Sequence, residues 1–417
     1  MHRRAFLERT GLTFAAAALA QLPIESQVAA QSASDWTSVR ALFSLDAGFI
    51  HFGGLYLASH PAPVQQAIET HRRGLDSNPV DYLHAQGPVL EASVLRAAAA
   101  YLGGSPADIA LTDSTTMGLG LLYNGLSLRS DQEILTTTHD FYATHEALRL
   151  AGLRSGAVVR QIPLYTDIAT VSVDEIVGSV AQALTDRTRV LAVTWVHSST
   201  GLKLPLRAIA QVVQQANAQR DPSQRVLLCV DGVHGFGVED VSVADLGVDF
   251  FVSGCHKWMF GPRGTGLVWG RGPDAWAAVT PTIPTFGDGR TSGSLNTPGG
   301  FHSFEHRWAL SAAFELHQQL GRTAVAQRIH DLNGMLKAGL AALPNVRLIT
   351  PVDGDLSAGL VCFQVNGLAP EQVVERLHAR GIIATVTPYA TAYARLAAAI
   401  FNSEQEVDAV VREVAAL

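Results

Sequence analysis

Three cysteines in 417 residues are too few for a disulfide framework, and Cys229, Cys255 and Cys362 stand in or beside apolar runs, not at metal-ligand spacing. Charge is scarce as well. Only 16% of residues are charged, and 30 Lys and Arg face 37 Asp and Glu, for a net charge of −7. With no basic cluster beyond the first residues, nucleic acid is excluded as the expected partner. No zinc spacing, EF-hand loop or internal repeat is visible. The apolar stretch Gly11 to Ala20 falls well short of the roughly 20 residues that a membrane-spanning helix needs. What is present is a 47% hydrophobic, globular composition, long enough for a large core and two or three domains.

The first residues stand apart. Arg3-Arg4-Ala5-Phe6-Leu7, the apolar stretch and the small residues at Ala18-Leu19-Ala20 and Val28-Ala29-Ala30 together read as a signal peptide. The arginine pair resembles the twin-arginine export signal, with His2 where Ser or Thr is usual; an ordinary secretory signal is the alternative. Residues 1–30 are therefore expected to be removed, leaving a periplasmic or secreted protein that is exported folded and has no stable membrane anchor.

Apolar periodicity organises the rest. Helices are expected over Pro61–Leu75, Gly87–Leu102, Pro205–Gln219, Phe304–Leu320 and Thr323–Leu343. Strand-like runs begin near Ile109, Glu133, Val158, Val190, Val226, Val248 and Leu267. Strands separated by helical segments imply parallel βαβ units, hence an α/β fold. The Pro/Gly/Thr-rich passage from Gly270 to Gly300 reads as a binding or interface loop. Residues 346–417 change character, with short strands at Val346–Thr350, Leu360–Val365 and Ile382–Val386 and helices at Pro370–Arg380 and from Glu404. The expected units are an N-terminal segment 31–60 that packs with the small domain, a large domain 61–320, and a small α+β domain 321–417.

One stretch, Val226–Gly266, carries the chemistry. Its first apolar run delivers Asp231 and its second delivers Ser253, His256 and Lys257. Ligands of open α/β sheets sit outside the carboxyl ends of the strands, so acid and amine share one crevice. Taken alone the pair reads as a structural ion pair. The neighbours shift that reading. Thr112-Asp113-Ser114-Thr115-Thr116 precedes a glycine-containing helix, whose amino terminus suits a phosphate. His139 and Ser198 stand at other strand ends. Pyridoxal phosphate needs a lysine amine, a carboxylate against its ring nitrogen and donors around its phosphate. Gly118-Leu119-Gly120 lacks the third glycine of the dinucleotide fingerprint, which argues against a nicotinamide cofactor.

With these residues assembled, the chain resembles the class V aminotransferases, which are fold-type I pyridoxal-phosphate enzymes. The resemblance rests on Asp231-Gly232-x-His234, on Gly254-Cys255-His256-Lys257-Trp258-x-x-Gly261-Pro262-x-Gly264-Thr265-Gly266, and on Arg395 followed by Asn402-x-Glu404-x-Glu406-Val407-Asp408. His256-Lys257-Trp258 and the Ser77–Leu83 stretch are similar to the isopenicillin N epimerase-like group, and the signal to its exported, pyoverdine-tailoring branch.

The resemblance implies a large domain with a mostly parallel seven-stranded sheet, a small C-terminal α+β domain, and a homodimer whose 270–303 loop serves the partner. It implies pyridoxal 5'-phosphate as cofactor, with Lys257 as the Schiff-base lysine, Asp231 at the pyridine nitrogen, His234 by the phenolic oxygen and His139 stacked on the ring. Ser114, Thr115, Thr116, Ser198, Ser253 and His256 complete the cofactor site, and Arg395 takes the substrate carboxylate. Two departures stand out. Gly299-Gly300-Phe301-His302-Ser303 replaces a Gly-Thr pair that serves the partner's phosphate, which leaves Ser303 or Thr297 as donor. Residues 385–394 hold no thiol, so the expected enzyme is of the transaminase or epimerase type and not a cysteine desulfurase. The expected reaction lies at the α carbon of an amino acid or amino-acid-containing substrate, with siderophore or secondary-metabolite tailoring as its setting. Transamination, epimerisation and elimination all stay open. A non-catalytic binding scaffold is the competing class.

Overall fold

A computed structural model describes residues 35–417. The signal-peptide reading of residues 1–30 lies outside the described residues. A seven-stranded sheet forms the centre, in the order Ile109–Thr112, Gly266–Gly270, Phe250–Gly254, Leu227–Asp231, Thr188–Thr194, Glu133–Thr137, Val158–Ile162. Only Gly266–Gly270 runs against its neighbours; the other pairings are parallel. Side chains alternate across it. Leu228, Val230 and Phe251 feed one core, while Leu227, Cys229 and Phe250 feed a second on the opposite face. Burial on both faces is why these strands read as near-continuous apolar runs.

A smaller antiparallel sheet takes the order Thr385–Val386, Ala394–Leu396, Val361–Val365, Val346–Leu348 and has its own apolar cluster. The run expected as one strand over 382–386 is divided. Ile382–Ile383 pairs in parallel with Ile50–His51, and Thr385–Val386 joins the small sheet. The chain changes partners at Ala384, so a single apolar run serves two sheets.

Two further differences have physical reasons. The helix expected from Gly87 starts at Pro79, with Asn78 at its cap and Pro88 inside it. Gly87-Pro88 looks like a break, since proline removes a helix hydrogen bond. Packing against Phe304–Leu320 overrides it: a Cβ on Gly87 would lie 3.6 Å from Trp308. The 270–300 passage holds two short helices, Gly272–Trp276 and Ser292–Asn296. Among the described residues, no helix is long and apolar enough to cross a membrane.

Candidate active site

The carboxyl ends of the parallel strands open into a cavity of about 190 Å³, lined by Asp231, His234, Lys257, His256, Ser198 and Ser114–Thr116 among others. Asp231 ends its strand, is buried, and accepts from the Val233 N–H at 3.2 Å. Burial lifts its carboxyl to about 6, while the Val233 N–H and Lys257 pull the other way. Burial also draws the Lys257 amine down to about 8, with Asp231 resisting and Arg395 assisting.

His234 lies against that amine. The Trp258 indole N–H donates to its Nδ1 at 3.4 Å, so the ring proton sits on Nε2. Nε2 faces Lys257 Nζ at 3.3 Å. Burial holds His234 well below its ordinary value, so the ring is neutral and its N–H points at the lysine. The neutral amine, with its free lone pair, is the form that accepts from that N–H.

Ser114, Thr115, Thr116 and His256 line the end of the cavity where a helix begins, the place that would suit a phosphate. Ser114 caps the Thr115–Gly125 helix by accepting from the Met117 N–H at 3.1 Å. Thr115 Oγ1 accepts from the Gly254 N–H at 2.8 Å, which ties the helix start to the strand bearing Ser253. His256 Nδ1 is buried with no partner among the described residues. A buried ring nitrogen without a partner calls for a ligand group. Gly254 leaves the room: a Cβ there would stand 3.0 Å from His256 and 3.1 Å from Thr115 Oγ1. An uncommitted lysine, a buried acid, an unpartnered imidazole and a helix amino terminus fit pyridoxal phosphate.

Not every expected residue borders the cavity. Ser253 is fully buried and donates to the Gly254 carbonyl at 2.9 Å. His139 is half-buried and stacks on Tyr165 with centroids 4.3 Å apart, while the Leu164 N–H donates to its Nε2 at 3.2 Å. Thr297 is spent inside the fold, accepting from the Leu111 N–H at 3.0 Å and donating to the Gly293 carbonyl at 2.9 Å. Ser303 is exposed and makes no side-chain cap, which leaves it as the uncommitted hydroxyl of that pair.

Arg395 sits on the Ala394–Leu396 strand, buried, with Nε donating to Thr385 Oγ1 at 3.1 Å and Nη1 to the Ser198 carbonyl at 2.8 Å. Two residues escaped the sequence reading. Tyr389 places its hydroxyl 2.7 Å from Ser198 Oγ. Asp140, buried, accepts from both Thr136 and Thr137 hydroxyls and the Thr137 N–H at 2.8 Å, and from the Thr194 N–H at 2.7 Å, locking two strand ends together. An aspartate two residues after a Thr-Thr-Thr strand end was the available signal; Tyr389 had none, because its partner is 191 residues away.

Comparison with known proteins agrees with this geometry. The aminotransferase class-V family matches residues 58–410. An isopenicillin N epimerase of Streptomyces clavuligerus is 25% identical over 399 residues, 90% of this chain and 96% of its own. A cysteine desulfurase of Klebsiella pneumoniae subsp. pneumoniae is 25% identical over 356 residues, 79% of this chain and 82% of its own. The cystine C-S lyase C-DES has the same fold at 23% identity, with a TM-score of 0.80 over 88% of this chain and 98% of its own. A mutant of C-DES, with glycine covalently linked to its PLP cofactor, superposes at a TM-score of 0.81 and 23% identity over 90% of this chain and 98% of its own.

These matches correct one expectation. The exclusion of cysteine desulfurases rested on the missing thiol in residues 385–394, yet proteins of that name match most of the chain and a carbon–sulfur lyase shares its fold. A loop thiol supplies one nucleophile; its absence leaves untouched the carbon–sulfur cleavage that can follow loss of an α proton. The desulfurase type stands among the supported relatives of this chain. With a lysine and an acid lining one cavity at the strand ends and the family match spanning both sheets, the chain belongs to the class V aminotransferases and is a pyridoxal-phosphate enzyme of fold type I.

Proposed function

We propose that the enzyme breaks the Cα–H bond of an amino acid or an amino-acid-containing molecule, with Lys257 carrying the proton. The observation behind this reading is the Lys257–His234 contact at 3.3 Å, in which a buried neutral imidazole presents its N–H to the amine. Burial alone favours the uncharged amine, the form that acts as a base near neutral pH. Bound pyridoxal phosphate supplies an electron sink for the charge left on the α carbon. Asp231, ionised beside a cationic ring nitrogen, would hold that nitrogen protonated. Arg395 would hold the substrate carboxylate: Nε and Nη1 are engaged, and Nη2 has no partner among the described residues.

Proton return to the opposite face inverts the centre, and the relatives named isopenicillin N epimerase support that outcome. Loss of a β-sulfur group is the second outcome, supported by the relatives named cysteine desulfurase. Incubating the holoenzyme with a panel of amino acids in D2O tests the shared step. Exchange of the α hydrogen by the parent and not by Lys257→Ala is the expected result; equal exchange in both ends the proposal. Chiral analysis, sulfide release and keto-acid assays then separate the outcomes.

The Arg3-Arg4 signal supports export in the folded state to the periplasm or beyond, where siderophores and other secondary metabolites are a fitting substrate class. The aromatic surface at Phe286 (73% exposed) and Phe301 (84% exposed) supports a homodimer formed through the 270–303 passage. Sedimentation of an active monomer counts against that assembly.

A further inference from the structure

The C-terminal hairpin holds one residue of the large domain twice. Thr385 pairs with Arg395 and Val386 with Ala394. The loop between is closed by the Thr387 N–H on the Tyr393 carbonyl at 2.9 Å and the Tyr393 N–H on Thr387 Oγ1 at 2.8 Å. Within it the Tyr389 N–H donates to the Thr387 carbonyl at 3.0 Å, which fixes the backbone that carries the phenol. From this frame Tyr389 reaches Ser198 Oγ at 2.7 Å, and Arg395 Nη1 reaches the Ser198 carbonyl at 2.8 Å. Side chain and main chain of one cavity-lining serine are gripped by the same hairpin.

The direction of the first bond follows from acidity. A phenol is a stronger acid than an alkyl alcohol, so Tyr389 donates and the Ser198 O–H is left to donate into the cavity. Burial pushes the phenol up to about 12, so it keeps its proton at every working pH. The edge-on contact with Phe141, 6.1 Å between centroids, holds the ring independently of the hydroxyl.

We infer that Tyr389 is a positioning residue: it aims Ser198 at the edge of the cofactor and joins that donor to the carboxylate-binding arginine as one unit. The inference rests on the proposed α-carbon chemistry for its kinetic consequence. Its structural consequence can be read on the cofactor alone.

Tyr389→Phe and Ser198→Ala are compared, singly and together, as holoenzymes. Each is expected to shift the pH midpoint of the cofactor's visible absorbance in the same direction and to weaken retention of pyridoxal phosphate by about tenfold, the scale of one lost hydrogen bond in a closed site. The double variant is expected to be no worse than either single one, because both remove the same contact. KM for the amino substrate is expected to rise more than kcat falls. A Tyr389→Phe spectrum and cofactor affinity equal to the parent's, or effects that simply add, overturn the inference. A parent that processes no amino acid counts against the proposed reaction, and the spectral midpoint still decides the role of Tyr389.

Discussion

The two halves of the active site are built on different terms. On the sheet side, Asp231 ends one strand and Lys257 follows its parallel neighbour, every residue of both strands is buried, and their neighbours His234 and Trp258 come from the same stretch of chain. On the hairpin side, Arg395 rides on a strand of three residues and Tyr389 on the loop that joins it to a strand of two, and both reach Ser198 across nearly two hundred positions of sequence. The sheet side would hold the cofactor and move protons in a frame that cannot shift without breaking the core. The hairpin side would hold the substrate's carboxylate, on an element tied down by a handful of hydrogen bonds. On the proposed reading, chemistry would rest on the buried sheet and recognition on the hairpin.

Substitutions test that separation. Lys257→Ala is expected to have the largest effect: loss of the lysine-bound cofactor's visible band, and a fall in α-hydrogen exchange of about 10³-fold, within the usual range for a lost acid–base group. A retained band breaks the assignment. Arg395→Gln strikes the other side and should leave that band in place while raising KM by about tenfold to a hundredfold, since a charge-assisted pair is lost. If the band disappears too, the two sides are not separable.

A pH profile sharpens the comparison further. Addition of the amine to free pyridoxal phosphate needs its neutral form, and burial lowers Lys257 to about 8. Capture of the cofactor by the apoprotein should therefore quicken as pH rises towards 8 and level off above it, about two units earlier than for an exposed lysine. Stopped-flow absorbance reads this directly, and a rise that continues to pH 10 contradicts it. Thr297→Val should be the mildest change. It leaves the Leu111 N–H without its acceptor and should cost about 1–3 kcal/mol in chemical denaturation, with cofactor binding unchanged.

The sheet side was legible because its signals are local. Continuous apolar runs ending in Asp231 and Ser253, glycines where a Cβ would collide, and a hydroxyl cluster opening a helix all lie within short windows. The helix over Phe304–Leu320 matches its sequence expectation to the residue. The hairpin side was legible only where the family motif touched it, at Arg395. Tyr389, the partition of 382–386 between two sheets and the commitment of Thr297 all depend on contacts between distant segments. The position of His139 at a strand end can be read from the sequence, whereas its stack on Tyr165 comes from packing between segments.

The bond between Thr297 and Leu111 also bears on how copies of this chain behave beside one another. Ile109–Thr112 is a terminal strand of the large sheet, and its outward N–H groups offer a template on which another chain could add. Leu111 has its N–H occupied by Thr297, and Gly293 presses so close to Ile109 that no side chain fits between them. The opposite border, Val158–Ile162, carries Arg160 in an ion pair with Glu133. One border is capped and the other charged. Both features are ones that disfavour the addition of a strand from another copy.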